Sequence, residues 1–91
     1  MIVIDHDARS QRFATRVEGV LAVLDYRLAD RVMTITHTLV PPRIGGRGIA
    51  AELTRAALAA AREAGWTVNP VCSYAAAYVR KHPGHADNQQ S

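Results

Sequence analysis

The first half of the chain alternates between hydrophobic and polar residues, which is the period of a half-buried β-strand. This alternation predicts three strands, over residues 11–17, 20–28 and 31–40. Tight turns at 18–19 and 29–30 separate them, and the glycine in the first turn adopts positive φ without steric cost. The pattern therefore predicts three antiparallel strands with short connections.

Strict alternation divides the third predicted strand into two faces. One face is hydrophobic apart from a single histidine, and its members are Met33, Ile35, His37 and Leu39. The other face carries Val32, Thr34, Thr36, Thr38 and Val40. Residues 2–4 form either a further edge strand or an extended lead-in to the sheet.

The second half of the chain changes to helical periodicity. The two prolines at 41–42 end the third strand, because proline donates no ladder hydrogen bond. A long helix rich in alanine and leucine is predicted over 47–64, with Gly65 as its C-terminal cap. A short strand over 67–71 and a second helix over Ser73–Lys81 follow. The predicted buried stripe of the long helix consists of Ile49, Leu53, Ala57, Ala60 and Ala64.

Together these elements predict an α+β fold. A strand that follows a helical crossover lies parallel to the strand before it, so we expect the last strand to lie parallel to the third. The sheet then contains antiparallel strands and one parallel pair, with two main helices packed on it. Residues 1–85 are expected to form a single domain, followed by a polar, flexible tail over 86–91.

Length and composition exclude several classes of protein. The 91 residues allow one modest core, and no apolar run approaches the roughly 20 residues of a membrane-spanning helix. The N-terminus lacks the regions of a signal peptide, so a cytoplasmic domain without membrane contact is expected. One cysteine forms no internal disulfide, and the histidines lack the spacing of metal ligands, so no metal is expected.

The net charge of +3 is compatible with nucleic acid, a membrane surface or a polyanionic cofactor as partner. Aromatic residues make up only 5% of the chain, and no row of them lies along the predicted strands. Single-strand readers stack bases on such rows. The arginines are also spread over strands, loop and helix. These two observations disfavour nucleic acid.

The segment 43–50 carries the strongest functional pattern, because it joins a strand end to a helix start and contains three glycines. Glycines permit a tight turn and close approach of a ligand, and the helix start presents unsatisfied N–H donors with partial positive charge. A diphosphate is expected there, with Arg43 and Arg47 adding charge. The alternative is a glycine-rich turn without a ligand. The segment matches neither a Walker A loop nor a dinucleotide fingerprint.

The spacing Arg43-x-x-Gly46-x-Gly48 resembles the acetyl-CoA signature of the GNAT acetyltransferase superfamily. The surrounding residues resemble its short, single-domain, YidJ-type branch over roughly 13–83. The matching segments are His37-Thr38-x-Val40-Pro41, Leu53, Ala57, Ala61-Arg62, Pro70-x-Cys72 and His82-Pro83. The resemblance implies an acetyltransferase-like core in which the third and fourth main strands splay apart, with pantetheine between them.

The resemblance further implies acetyl-CoA or coenzyme A as cofactor. The glycine loop would bind its pyrophosphate, and the strand at 36–38 would pair with the pantetheine amides. The residues implied in cofactor binding are Thr38, Leu39, Val40, Arg43, Ile44, Gly45, Gly46, Arg47, Gly48, Ile49, Ala50, Cys72, Ser73, Tyr78 and Lys81. The acceptor amine is not identified by the sequence. A homodimer is one way to build the acceptor wall that longer members form from additional elements.

Three residues are candidates for catalysis. Cys72 precedes a predicted helix whose dipole favours a thiolate, so it is either an acyl acceptor or a small buried hydrophobe. By resemblance, Tyr78 on that helix protonates the departing CoA thiolate, and simple packing is its alternative role. His37 is either a core histidine or the general base that deprotonates the amine.

These observations leave two main functions. The first is an acetyl-CoA-dependent N-acetyltransferase, acting by direct transfer to an amine or through an acetyl-cysteine. The second is a non-catalytic module that binds CoA or acyl-CoA, and a small basic nucleic-acid-binding domain is the weakest alternative. A catalytic cysteine predicts that Cys72→Ala abolishes acetyl turnover while CoA affinity survives.

Overall fold

The computed structural model describes residues 2–82, so the predicted tail and the last residues of the predicted domain lie outside the described residues. In chain order the elements are β1 (Asp5–Asp7), β2 (Arg12–Val17), β3 (Val20–Ala29), β4 (Val32–Leu39), a 3₁₀ helix (Pro42–Ile44), α1 (Ile49–Ala64), β5 (Thr67–Pro70) and α2 (Ser73–Lys81).

The described strands form one sheet in the order β1-β2-β3-β4-β5. Neighbouring strands are antiparallel except for β4 and β5, which are parallel and joined through α1. The predicted α+β fold, with antiparallel strands followed by one parallel pair, is therefore confirmed.

The edge strand begins later than the predicted segment 2–4. It covers Asp5–Asp7, where His6 lies opposite Phe13. The two rings stack with centroids 4.0 Å apart, and His6 Nε2 lies 2.6 Å from the Tyr26 hydroxyl. These side-chain contacts fix the ladder at His6. The backbone before it is held by the Thr15 hydroxyl, which donates to the Val3 carbonyl at 2.7 Å.

Both helices pack on the sheet face that carries Phe13, Leu24 and Ile35, because buried residues of α1 and α2 join these side chains in one hydrophobic cluster. The buried side chains of α1 include Ile49, Leu53, Ala57 and Ala61, which follow one another at four-residue intervals. The predicted stripe is wrong at its end, because Ala60 is half-buried and Ala64 is exposed, whereas Ala61 and Leu58 are buried. In residues 2–82, neither helix has the length and apolarity that crossing a bilayer requires.

A β-bulge interrupts β4 at Thr36. Asp25 of β3 lies opposite His37, whereas the next residue of β3, Tyr26, lies opposite Ile35. Thr36 is therefore one extra residue in β4, and its hydroxyl donates to the Asp25 carbonyl at 3.3 Å. A single extra residue exchanges the faces of all side chains that follow it.

The predicted core face of β4 is wrong beyond this bulge. Thr38 lies opposite Leu24, a fully buried core residue, so Thr38 takes the core-facing position. His37 and Leu39 lie on the opposite face and are exposed. The expected core histidine is thus a surface residue on the sheet face that carries no helix.

Candidate functional site

The parallel pairing of β4 and β5 ends early, and this opens a gap between the two strands. Their last paired residues are Ile35 and Pro70, although β4 continues to Leu39. The Ile35 carbonyl accepts hydrogen bonds from the backbone N–H groups of Val71 at 3.1 Å and Cys72 at 2.9 Å. Beyond this point the chain turns into α2. The expected splay between the strands is present, and it leaves the β4 edge after Ile35 without a strand partner within residues 2–82.

The open edge of β4 leads directly into the predicted phosphate loop. The 3₁₀ helix Pro42–Ile44 follows, an element that the sequence did not predict. Ile44 is fully buried, and its backbone N–H donates to the Pro41 carbonyl at 3.0 Å. Ile44 therefore anchors the loop to the core, and its side chain is not available to a ligand.

The glycines after this anchor form an open cradle at the start of α1. Gly46 and Gly48 have φ of 76° and 74°, and a Cβ at either position would meet no atom within 4 Å. Gly48 is the N-cap of α1, which begins two residues later than predicted. The first intrahelical hydrogen bond runs from Glu52 N–H to the Gly48 carbonyl at 3.1 Å, so the N–H groups of residues 49–51 precede the ladder. The loop thus presents three donors and free space.

Only one of the two predicted arginines is available without rearrangement. Arg43 lies on the exposed side of the 3₁₀ helix. Arg47 forms an ion pair with Glu18, with Nη1 and Oε2 2.6 Å apart. Both side chains of this pair are about half exposed, so its free energy is small. Sequence reasoning missed Glu18, because its partner lies 29 residues away and no local pattern joins the two.

Cys72 lies at the closed end of the gap, as the N-cap of α2. Its sulfur is 3.5 Å from the Thr38 hydroxyl, so the structure brings these two predicted residues together. In the structure the Cys72 thiol donates to the Thr38 hydroxyl oxygen. Burial raises the pKa of this thiol, but its hydrogen bonds with the Ala75 backbone, the Thr38 hydroxyl, and the Tyr74 and Thr38 backbones together lower it by more. The net result is a Cys72 pKa below the ordinary value for cysteine, so a larger fraction of this thiol is ionised than in an ordinary cysteine.

Tyr78 is buried on α2, about one and two-thirds helical turns after Cys72. Its hydroxyl interacts with the guanidinium of Arg55 on α1, which also pairs with Glu52 at 2.6 Å. Its ring contacts His82, with centroids 4.3 Å apart. Sequence reasoning missed Arg55, because a contact between two helices depends on how they pack and not on their separate periodicities.

The remaining predicted residues are divided between the gap, the loop and the surface. Ile49 is buried, so only its backbone faces the loop, and Ala50 and Val40 are half-buried. Ser73 and Lys81 are exposed at the two ends of α2. Within the described range 2–82, no three histidine, cysteine, aspartate or glutamate side chains are grouped as metal ligands.

Sequence comparison places these features in a family. Residues 12–88 match the profile described as GCN5-related N-acetyl-transferase. The chain belongs to the GCN5-related N-acetyltransferase family. Its relatives include human Protein NATD1, 36% identical over 85 residues, and chicken Protein NATD1, 35% identical over 85 residues. Each alignment covers 90% of this chain, with 75% of the human and 77% of the chicken protein.

Structural comparison agrees with this family membership. The solution structure of a GCN5-like protein from Staphylococcus aureus superposes with a TM-score of 0.77 and 27% identity. The superposition covers 98% of this chain and 88% of that one. The sheet, its parallel pair and the two helices are therefore a GCN5-related acetyltransferase core.

Proposed function

We propose that this family member binds acetyl-CoA along the gap between β4 and β5 and transfers the acetyl group to an amine. The observation that carries the proposal is the early end of β4–β5 pairing at Ile35 and Pro70. It leaves an extended backbone edge that leads into the cradle before α1. An extended amide-bearing chain and a diphosphate are the two parts of CoA that such a combination fits.

The residues present fit this cofactor. The N–H groups of residues 49–51 and the positive end of α1 suit a pyrophosphate, and Gly46 and Gly48 leave it room. The β4 edge from Thr36 to Leu39 offers backbone donors and acceptors to the pantetheine amides. When bound, acetyl-CoA supplies an acetyl group activated as a thioester.

Direct transfer needs a base for the amine and an acid for the leaving thiolate. His37 has the right chemistry to accept the amine proton, and it lies on the exposed side of β4 beside the bulge. Tyr78 carries a hydroxyl that suits protonation of the thiolate. The amine nitrogen forms a bond to the acetyl carbon as the carbon–sulfur bond breaks. The amine gives its proton to His37, and the departing CoA thiolate takes a proton from the Tyr78 hydroxyl.

An acetyl-cysteine route uses Cys72 instead as the first nucleophile. Its thiolate forms a thioester with the acetyl carbon, and the CoA sulfur leaves and takes a proton from the Tyr78 hydroxyl. The amine then attacks the acetyl-Cys72 carbon and gives its proton to His37, and the cysteine leaves as a thiolate. The lowered pKa of Cys72 and its place at the closed end of the gap support this route.

Calorimetric titration with acetyl-CoA is the first test of the proposal, with adenosine diphosphate as the control ligand. We expect acetyl-CoA to bind more tightly than adenosine diphosphate, because only the former has a pantetheine arm for the β4 edge. Equal affinities for acetyl-CoA and adenosine diphosphate would mean that the loop binds a diphosphate but that the gap does not bind the pantetheine arm. Absence of binding by either ligand would contradict the proposal.

The variant Cys72→Ala separates the two routes. CoA-thiol release from acetyl-CoA is followed with a panel of amines, and intact-protein mass spectrometry reports any acetylated enzyme. Loss of turnover with retained affinity, together with one acetyl group on wild-type protein only, supports the acetyl-cysteine. Turnover that survives in Cys72→Ala supports direct transfer. Binding without turnover in the wild type would favour a CoA-binding module.

A further inference from the structure

Thr38 contacts the sulfur of Cys72 across the gap between β4 and α2, with 3.5 Å between Oγ1 and Sγ. We infer that Thr38 is a positioning residue, whose hydroxyl fixes the Cys72 side chain at the closed end of the gap and donates to its sulfur when the sulfur is a thiolate. This role differs from pairing with a cofactor through the Thr38 backbone, and it rests on the proposed function for its use in acyl transfer.

The bulge at Thr36 makes this contact possible. Without the extra residue, alternation from Ile35 would place His37 on the core-facing side and Thr38 on the exposed side. With it, Thr38 lies opposite Leu24 and turns toward the start of α2. Because of the bulge, the side chain beside Cys72 is the Thr38 hydroxyl and not the His37 imidazole.

The backbone of Cys72 is held from both sides, which fixes the position of its Cα atom relative to Thr38. The Cys72 N–H donates to the Ile35 carbonyl at 2.9 Å, and the Cys72 carbonyl accepts from the Ala76 N–H at 2.9 Å. The first contact ties the residue to β4 and the second to α2. Thr38 completes the arrangement with the only side-chain hydroxyl that the described structure places in hydrogen-bond contact with this sulfur.

The surroundings of the thiol are polar without being charged. Burial raises the pKa of Cys72, and its hydrogen bonds with Ala75, Thr38 and Tyr74 lower it. The titratable groups on the neighbouring elements comprise Tyr74, Tyr78, Arg80 and Lys81 on α2, Glu52, Arg55, Arg62 and Glu63 on α1, and His37 on the opposite face of β4. The thiolate is thus favoured by directed donors, of which Thr38 supplies the one that a side-chain substitution removes.

The test measures how fast iodoacetamide alkylates the full-length protein as a function of pH, without CoA. Cys72 is the single cysteine of the chain, so mass spectrometry reports this residue alone. We expect Thr38→Val to move the midpoint of the rate profile to higher pH and to slow alkylation at neutral pH roughly threefold, because the thiolate loses one hydrogen bond. Thr38→Ser restores the hydroxyl and should restore the wild-type profile.

Thr34→Val is the matched control, since Thr34 lies on the same strand before the bulge and pairs with Asn69. This variant should keep the wild-type profile. An unchanged midpoint in Thr38→Val would overturn the inference, and so would an equal shift in Thr38→Ser, which would assign the effect to packing. Because CoA is absent from the assay, the alkylation result does not depend on whether the protein binds acetyl-CoA, and the two proposals can fail separately.

Discussion

Charged and ionisable side chains at the residue scale have roles that depend on partners distant in sequence. Arg47 pairs with Glu18 of the β2–β3 turn, so a side chain expected to serve a phosphate already has a carboxylate partner. Tyr26 of β3 is buried against His6 of β1. In each pair the two residues lie far apart in the sequence, and the pattern around either residue does not predict its partner.

Glu18→Gln is expected to raise the affinity for acetyl-CoA a few-fold, because it removes a negative charge from Arg47 and frees that side chain for phosphate. Calorimetry at low and high salt measures the effect, which should shrink as salt screens it. Glu63→Gln changes the net charge equally at the far end of α1 and should leave affinity unchanged. Equal gains in both variants would mean that Arg47 has no special role.

Tyr26 is expected to make the protein sensitive to alkaline pH. Burial, helped by the charge of Asp7, raises the pKa of Tyr26 above its ordinary value of 10.0. The pKa of Tyr26 is higher in the folded than in the unfolded protein, so the protonated hydroxyl favours folding. This contribution to stability is complete below pH 10 and is lost as pH rises through the folded pKa.

Urea unfolding between pH 9 and pH 12 measures this loss. Tyr26→Phe should be less stable at neutral pH, since it loses the contact with His6, but its stability should fall less steeply in alkali. Tyr74→Phe is the comparison. Burial also raises the pKa of Tyr74, but Tyr74 is 38% exposed whereas Tyr26 is 2% exposed, so Tyr74 should contribute less to the slope. A wild-type slope in Tyr26→Phe would contradict the prediction.

Elements are bounded by backbone conformations and by contacts that close their ends. α1 is capped by Gly48 at its start and by Gly65 at its end, and both glycines have left-handed backbone conformations. The predicted end of the helix is correct, because a glycine at the C-terminal cap is a direct signal of where a helix stops. The predicted start at residue 47 is two residues too early, because the hydrophobic pattern does not distinguish helical from loop conformations of Arg47 and Gly48.

Gly48→Ala is expected to weaken both folding and acetyl-CoA binding. An alanine in the left-handed conformation costs about 1–2 kcal/mol, although its Cβ would have free space. Gly19→Ala is the matched control, because Gly19 has a similar φ and equally open surroundings in the β2–β3 turn. Both variants should lose similar stability in urea unfolding, and only Gly48→Ala should lose affinity in calorimetry. Equal affinity loss would disprove a specific role for the start of α1.

Arg31 closes the other end of α1. Its guanidinium donates to the carbonyls of Ala64 and Gly65 at 3.2 and 3.3 Å, and Arg31 itself has a φ of 63° in the β3–β4 turn. Arg31→Ala should lower the free energy of unfolding by about 1 kcal/mol, because the helix loses these exposed hydrogen bonds.

Arg31→Gly separates the helix contact from the backbone strain. It also loses the guanidinium, but glycine adopts the left-handed conformation freely, so its loss of stability should be smaller than that of Arg31→Ala. Urea unfolding of both variants gives the comparison. Wild-type stability in Arg31→Ala would show that the contact contributes nothing.

The whole molecule is small, and a ligand that binds only its folded form should stabilise it measurably. At a concentration 100 times its dissociation constant, such a ligand adds about 2.7 kcal/mol. For a chain of this size, the expected rise in melting temperature is on the order of 10 °C. Scanning calorimetry with acetyl-CoA tests this, with adenosine diphosphate as control. No rise with acetyl-CoA would argue against the proposed site.

The sheet face opposite the helices is not covered by either helix of the described residues. It carries exposed hydrophobic residues, including Leu21 and Leu39, beside His37. A homodimer and a cytoplasmic location stay predictions. Sedimentation of the wild type tests the first.

The sequence by itself determined the order of β2 to β5 and of the two helices, the parallel pair and the position of the glycine loop, because alternation, helical period and glycine are local signals. Tertiary structure alone decided the bulge at Thr36, and with it which of His37 and Thr38 meets Cys72. It also decided the pairing of Arg47 with Glu18 and the contact between Arg55 and Tyr78. The physical reason is that register and packing arise from contacts between distant segments. A local pattern specifies that a strand exists, but the strands beside it decide which face each side chain occupies.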